Sequence, residues 1–248
     1  MTEIQLAPHQ LIAYSENGYL IVPDLLAGEE VDAFLAHEAA RSEPAAFGLQ
    51  GHRVDPQYRT LATHPSVVAR VRQLLGGPPR IVQTMLLNKR PKGGQGIALH
   101  QDSHYLPNEP NTLMACWLAL TDTDPDNGGL CVVPGSHKGP LRSAQRTENV
   151  ADHASWETEH TMSDRDGRRW TQKMVSFEID DVAPESIVRL TVPRGAGVFF
   201  TGMTIHGSYA NRSEVRPRTA FATHYVHEAT WLFREDVQDA VPVDSLTV

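Results

Sequence analysis

The chain of 248 residues is expected to fold as a mainly β protein, a jelly roll with helices packed on it from its N-terminal side. Two observations lead there. Up to about residue 80 the apolar residues recur at helical spacing, whereas from Ile81 onward short β-prone runs alternate with glycine- and proline-rich turns. Many short strands punctuated in this way suggest a sandwich or barrel, and closing or doubling the sheet hides its edges. The length fits one domain over 1–248, because all-β barrels often run this long without splitting.

The elements follow in order. Pro8 suits a helix start and Gly18 its stop, after which Tyr19 to Val22 reads as a short strand. A second helix is expected over Glu29 to Arg41, with Val31, Phe34 and Leu35 at helical spacing, and a third over Ser66 to Leu75, ended by Gly76-Gly77. This flank, 1–80, precedes a β core over 81–226. The core's strands are expected at Ile81–Lys89, Ile97–Tyr105, Leu113–Leu120, Leu130–Val133, Ile187–Val192, Val198–Phe200, Thr204–Tyr209 and Thr219–Val226. Between them, residues 142–185 are long, charged and poorly periodic yet carry Trp156, Trp170 and Phe177, and read as an inserted loop or lid.

Composition narrows the function. Thirty acidic against 22 basic residues leave a formal charge of −8, and no lysine or arginine run marks a nucleic-acid binder. No apolar run approaches the ~20 residues a membrane helix needs. The first residues, MTEIQLAPHQ, lack a signal peptide's pattern and SLTV is no recognised address, so a cytoplasmic protein is expected. Cys116 and Cys131, each in an apolar stretch, read as buried, reduced thiols. Gly93-Gly94-Gln95-Gly96 lacks the lysine of a phosphate loop, and there is no Gly-x-Ser-x-Gly elbow.

The strongest local signal is His100-Gln101-Asp102. Side chains at i and i+2 of a strand share a face, so an imidazole and a carboxylate can meet one ion. The triplet alone is weak in a chain with twelve histidines. His206, in a distant β-prone run, supplies a third donor, which makes the two-histidine, one-carboxylate set of non-haem iron oxygenases. A further strand begins near Arg218, whose guanidinium could grip one end of a dicarboxylate while the other end reaches the metal. His104 would share the face of His100 and Asp102, either touching substrate or standing partly exposed. His224 and His227 would lie on opposite strand faces and not share a metal, and His137 reads as a structural turn residue.

Taken together, Thr84 to Lys89, Leu99 to Tyr105, Trp117, Asn127 to Leu130, Val132 to Gly139, Gly197 to Phe200, Ile205 to Ser208, Asn211 and an arginine near 218 resemble the phytanoyl-CoA dioxygenase family. The resemblance is dense over 80–140 and 190–226. It implies a double-stranded β-helix with iron(II) on His100, Asp102 and His206, and 2-oxoglutarate held by Arg218, with Met85, Trp117, Asn88 and Ser208 lining its site. The stretch between His206 and Arg218 is one residue longer than the family pattern, which makes Arg216 a competing assignment. The implied activity is hydroxylation of a C–H bond with O2, releasing succinate and CO2, and Asp102 argues against halogenation. The substrate would be a small molecule or acyl compound; Lys89, Arg90 and Lys92 are the candidate patch for a coenzyme A group. Two other readings use the same residues: a zinc hydrolase or isomerase on a cupin-like barrel, and a non-catalytic binding module. Oligomeric state is not legible in the sequence.

Overall fold

The computed structural model describes residues 4–41 and 48–246; the termini of the expected 1–248 domain and residues 42–47 lie outside the described residues. Two antiparallel sheets form the core. The larger has six strands in the spatial order Tyr19–Val22, Gly197–Thr201, Met114–Ala119, Arg218–His227, Pro79–Lys89 and Val241–Pro242. The smaller has four, Val188–Arg189, Leu130–Val132, His206–Ser208 and Ile97–His100. Neighbouring strands are distant in sequence, the wrapping pattern of a jelly roll.

Side-chain alternation divides the large sheet into two faces. One set, with Cys116, Leu118, Phe199, Phe221 and Tyr225, packs outward against the N-terminal helices. Phe34 of the Gly28–Ala39 helix and Tyr58 of the Pro56–Ala62 helix meet Phe221 at ring-centroid distances of 5.4 and 5.2 Å, tilted edge to face as aromatic quadrupoles prefer. The other set faces the small sheet and includes Ala115, Trp117, Ala119, Ala220 and Ala222. Four alanines on one face leave room that larger residues would fill, and the cavity described below lies there.

The first helix spans Pro8–Asn17 and is stopped by Gly18 at φ 78°, a left-handed conformation. A Cβ there would sit 2.4 Å from His137 Nδ1 and 2.6 Å from Thr204 Oγ1, so the close approach as well as the φ requires glycine. His137 donates to the Ser15 carbonyl at 3.1 Å, tying the Pro-Gly-Ser turn to this helix. The third expected helix runs Pro65–Leu75 and buries Val67, Val68 and Val71.

Several expectations need correction. Helices Gly51–Val54 and Pro56–Ala62 had not been anticipated, although Asp55-Pro56 carries a start signal: the Asp55 side chain accepts from the Gln57 and Tyr58 amides. The expected Ile187–Val192 strand shrinks to Val188–Arg189. The 142–185 segment is no irregular loop. It holds the hairpin Glu157–Ser163 and Arg169–Val175 and a bridge between Gln145–Arg146 and Phe177–Glu178. Exposure alternates along both hairpin strands and ends on buried Met162 and Met174, a period obscured in the sequence by charged residues on the outer face. No helix among the described residues is long and apolar enough to cross a membrane.

Candidate metal centre and its anion pocket

His100 and His206 are cross-strand partners on the small sheet, which brings their rings to 4.3 Å between centroids. The expected strand over Ile97–Tyr105 stops at His100, and Asp102–His104 form a single 3-10 turn. Gln101 stays extended, so Asp102 still turns back toward His100, while the turn carries His104 away. His104 Nε2 donates to the Arg142 carbonyl at 2.8 Å and its ring packs on Phe177. The shared face expected for His104 is therefore not formed.

Hydrogen bonds settle which nitrogen each imidazole offers. His100 Nδ1 lies 2.8 Å from the Ala98 carbonyl and His206 Nδ1 lies 3.0 Å from that of Thr204. A carbonyl only accepts, so both Nδ1 atoms carry the proton and both Nε2 lone pairs face inward. Those Nε2 atoms stand 3.4 and 3.7 Å from Asp102 Oδ1. The three donor atoms lie within 4.8 Å of one another, a spacing that one divalent ion can bridge. Burial drives the His206 imidazole down to about 4, so it is neutral and ready to act as a ligand. For Asp102, burial raises the carboxyl, but His206, His224 and the imidazole hydrogen bonds outweigh it and hold the group well below the usual carboxylate range.

The second carboxylate oxygen has its own partner. His224 Nε2 donates to Asp102 Oδ2 at 3.0 Å, which leaves His224 Nδ1 to accept from Gln83 Nε2 at 3.3 Å. The reading of His224 and His227 as a failed metal pair had passed over this role. Alternation could have found it, since Arg218, Ala220, Ala222 and His224 all project from one face of their strand. His224→Ala removes the donor that orients the carboxylate. It is expected to weaken metal binding about 10- to 100-fold, as loss of an outer partner of a metal ligand does. Metal titration followed by elemental analysis measures this, and unchanged affinity would remove His224 from the centre.

The metal cluster opens into a cavity of about 900 Å³. Its walls include Leu49, Leu106 and Tyr105, together with Trp156 from the segment preceding the hairpin, whose ring lies 5.3 Å from that of Tyr105. At the inner end sits Arg218, 2% exposed, donating through Nε to the Gly128 carbonyl and through Nη1 to that of Leu87, both at 3.0 Å. Its guanidinium lies 5.8 Å from the Trp117 ring centroid. No carboxylate pairs with it among the described residues, and burial lowers its pKa to about 10. Arg216 is instead exposed and clamped on Asp124 at 2.5 and 3.1 Å. The cavity thus presents Arg218, and not Arg216, as a buried cation.

Met85 and Ser208 also line this end. Asn88 also lines the cavity, but it is exposed, on the face of its strand opposite Met85 and Leu87. Its neighbour Lys89 is the inner residue, 6% exposed and hydrogen-bonded to Ser208 Oγ. The basic patch expected from Lys89, Arg90 and Lys92 is therefore broken up, because Lys89 is buried in the cavity and Lys92 pairs outside with Glu214.

The phytanoyl-CoA dioxygenase (PhyH) family profile matches residues 14–220. Rat peroxisomal phytanoyl-CoA dioxygenase is 29% identical over 242 residues, covering 86% of this chain and 66% of the rat protein. The bovine phytanoyl-CoA dioxygenase domain-containing protein 1 is 31% identical, over 75% of this chain and 58% of its own length. This chain thus spans about two thirds or less of the length of those relatives. Among solved structures, the non-haem α-ketoglutarate-dependent carbocyclase SnoK from nogalamycin biosynthesis superposes with a TM-score of 0.68 at 25% identity, covering 94% of this chain and 88% of its own. The epimerase SnoN from the same biosynthesis gives 0.69 at 22%, over the same shares, a likeness of fold: a cupin-like double-stranded β-helix. With a profile running from the first helix into the Arg218 strand, and with the two sheets and inward-facing donors described above, the chain belongs to the phytanoyl-CoA dioxygenase family.

Proposed function

We propose that this chain is an iron(II)- and 2-oxoglutarate-dependent dioxygenase that hydroxylates a C–H bond of a small-molecule or acyl-type substrate, releasing succinate and CO2. One observation carries the reading: two imidazole nitrogens and a carboxylate converge at one end of a cavity whose inner end holds a buried arginine with no carboxylate partner among the described residues. Two nitrogens and one oxygen on one side of an ion suit iron(II) and leave positions open for a chelating co-substrate and O2. Bound together, iron, 2-oxoglutarate and O2 supply the oxidising power, and CO2 and succinate leave as by-products.

The protein's own groups supply binding, orientation and dryness. The Ala98 and Thr204 carbonyls hold the two imidazoles in the ligating tautomer, and His224 fixes the carboxylate. Arg218 takes the distal carboxylate of the co-substrate, with Ser208 beside it and Trp117 and Met85 as walls. Leu49, Leu106, Tyr105 and Trp156 exclude water and receive an apolar substrate body, with the 142–185 segment as its selector. The rat relative is a peroxisomal phytanoyl-CoA dioxygenase, and SnoK belongs to nogalamycin biosynthesis. For this chain the dispersed Lys89–Lys92 patch favours a compact substrate over a long coenzyme A arm.

Anaerobic addition of iron(II) and then 2-oxoglutarate to the protein tests the reading. A visible metal-to-ligand charge-transfer band is expected at one equivalent of iron. Folded, iron-loaded protein that gives no band would overturn the proposal and turn attention to zinc and hydrolytic assays.

A further inference from the structure

Lys89 is a buried lysine that neither the metal centre nor the fold accounts for. It pairs in register with Arg218 across adjacent strands, and both side chains project to the cavity face. Its Nζ donates to Ser208 Oγ at 2.7 Å and to the Tyr209 carbonyl at 2.5 Å. The stem runs past two glycines: a Cβ on Gly128 would sit 2.8 Å from its Cδ, and one on Gly94 2.6 Å from its Cβ. Gly128 also gives its carbonyl to Arg218, so the two cations share one backbone wall. Among the described residues, the ionisable groups that bear on Lys89 are Arg218 and the Cys131 thiol, and no carboxylate does so. Two cations side by side, both nearly out of water, are costly without an anion between them.

Given the co-substrate reading above, on which this rests, we propose that Lys89 joins Arg218 and Ser208 in holding the distal carboxylate of 2-oxoglutarate, and that Lys89 takes up a proton when that carboxylate arrives. By accepting from Nζ, the Ser208 hydroxyl is left to aim its own proton at the ligand. Burial, then Arg218, brings the ammonium down to about 6, so at neutral pH the neutral amine is favoured until a carboxylate is placed beside it. A carboxylate placed against it restores the charged form. The sign follows by linkage: the complex binds more protons than the free protein, so affinity falls as pH rises above about 6, by as much as about tenfold per unit. Below that pH the lysine is already charged and the dependence flattens.

The test is anaerobic titration calorimetry of iron(II)-loaded protein with 2-oxoglutarate, at pH 7.5 in buffers of different ionisation enthalpy. The wild type is expected to take up a sizeable fraction of one proton per ligand. 2-Oxobutyrate, which keeps the chelating end but lacks the distal carboxylate, is expected to take up markedly less. Lys89→Gln keeps a donor for Ser208 but cannot titrate; it should bind 2-oxoglutarate at least about tenfold more weakly at pH 6.5 and lose the excess uptake and the steep pH slope. Lys89→Met, checked for folding by circular dichroism, should behave the same way or worse. Wild-type protein that binds 2-oxoglutarate with no more uptake than 2-oxobutyrate, or a Lys89→Gln variant that retains the excess, overturns the role of Lys89 while leaving the co-substrate reading intact. Wild-type protein that binds no 2-oxoglutarate overturns both.

Discussion

His206→Ala is expected to abolish stoichiometric binding of iron(II) and all turnover, while leaving a folded protein. Loss of an outer hydrogen-bond partner of a metal ligand already costs up to about 100-fold in affinity, so loss of a ligand should exceed that. The remaining groups cannot make up the deficit. His100 would still face Asp102 Oδ1, but Asp102 Oδ2 is engaged by His224, whose Nε2 carries the proton and has no lone pair to offer. His206 is also the register partner of His100, so its removal deletes the donor on the opposite strand. Folding should survive because the backbone pairing of His206 with Val132 and His100 does not use the side chain. Equilibrium dialysis with elemental analysis reads the metal, and circular dichroism reads the fold. Wild-type metal affinity in a folded His206→Ala protein would show that the ion sits elsewhere.

The His100–Asp102 half of the cluster was legible because its geometry is local. His100 and Asp102 are two residues apart, and a single extended Gln101 between them suffices to bring them together even though the strand ends at His100. The cross-strand meeting of His100 with His206 was not legible from spacing, since register depends on how distant strands wrap; the ordered motif set supplied it. His224 was missed for a related reason. It looked like half of a pair with His227, whereas its role depends on Asp102, 122 residues away. The 142–185 hairpin was obscured because its outer positions carry Glu157, Glu159, Arg169 and Lys173, and a strand exposed on one face shows few apolar residues. Asn88 and Lys89 differ by one residue and therefore by one face of the sheet. A one-position shift there exchanges an exposed amide for a buried cation.

Arg218→Ala is expected to weaken 2-oxoglutarate binding by about 100-fold or more while sparing metal binding. Two of the five guanidinium N–H groups are spent on the Gly128 and Leu87 carbonyls, which lock the plane and leave three to face a carboxylate. A charge-assisted hydrogen bond contributes roughly 1.5–3 kcal/mol, so losing a two-pronged grip corresponds to about 3 kcal/mol or more, offset in part by the Lys89 that remains. Arg218→Lys should fail nearly as badly, because one ammonium cannot bond both carbonyls and fork a carboxylate as well. Arg216→Ala serves as the control: its guanidinium is clamped on Asp124 at the surface, and the variant should bind 2-oxoglutarate as the wild type does. Titration of the charge-transfer band with 2-oxoglutarate and with 2-oxobutyrate separates the possibilities. Arg218→Ala should lose most of the preference for 2-oxoglutarate while its affinity for 2-oxobutyrate holds. Equal weakening toward both ligands would mean that the substitution damages the metal end through the fold and that the distal carboxylate is held by another group.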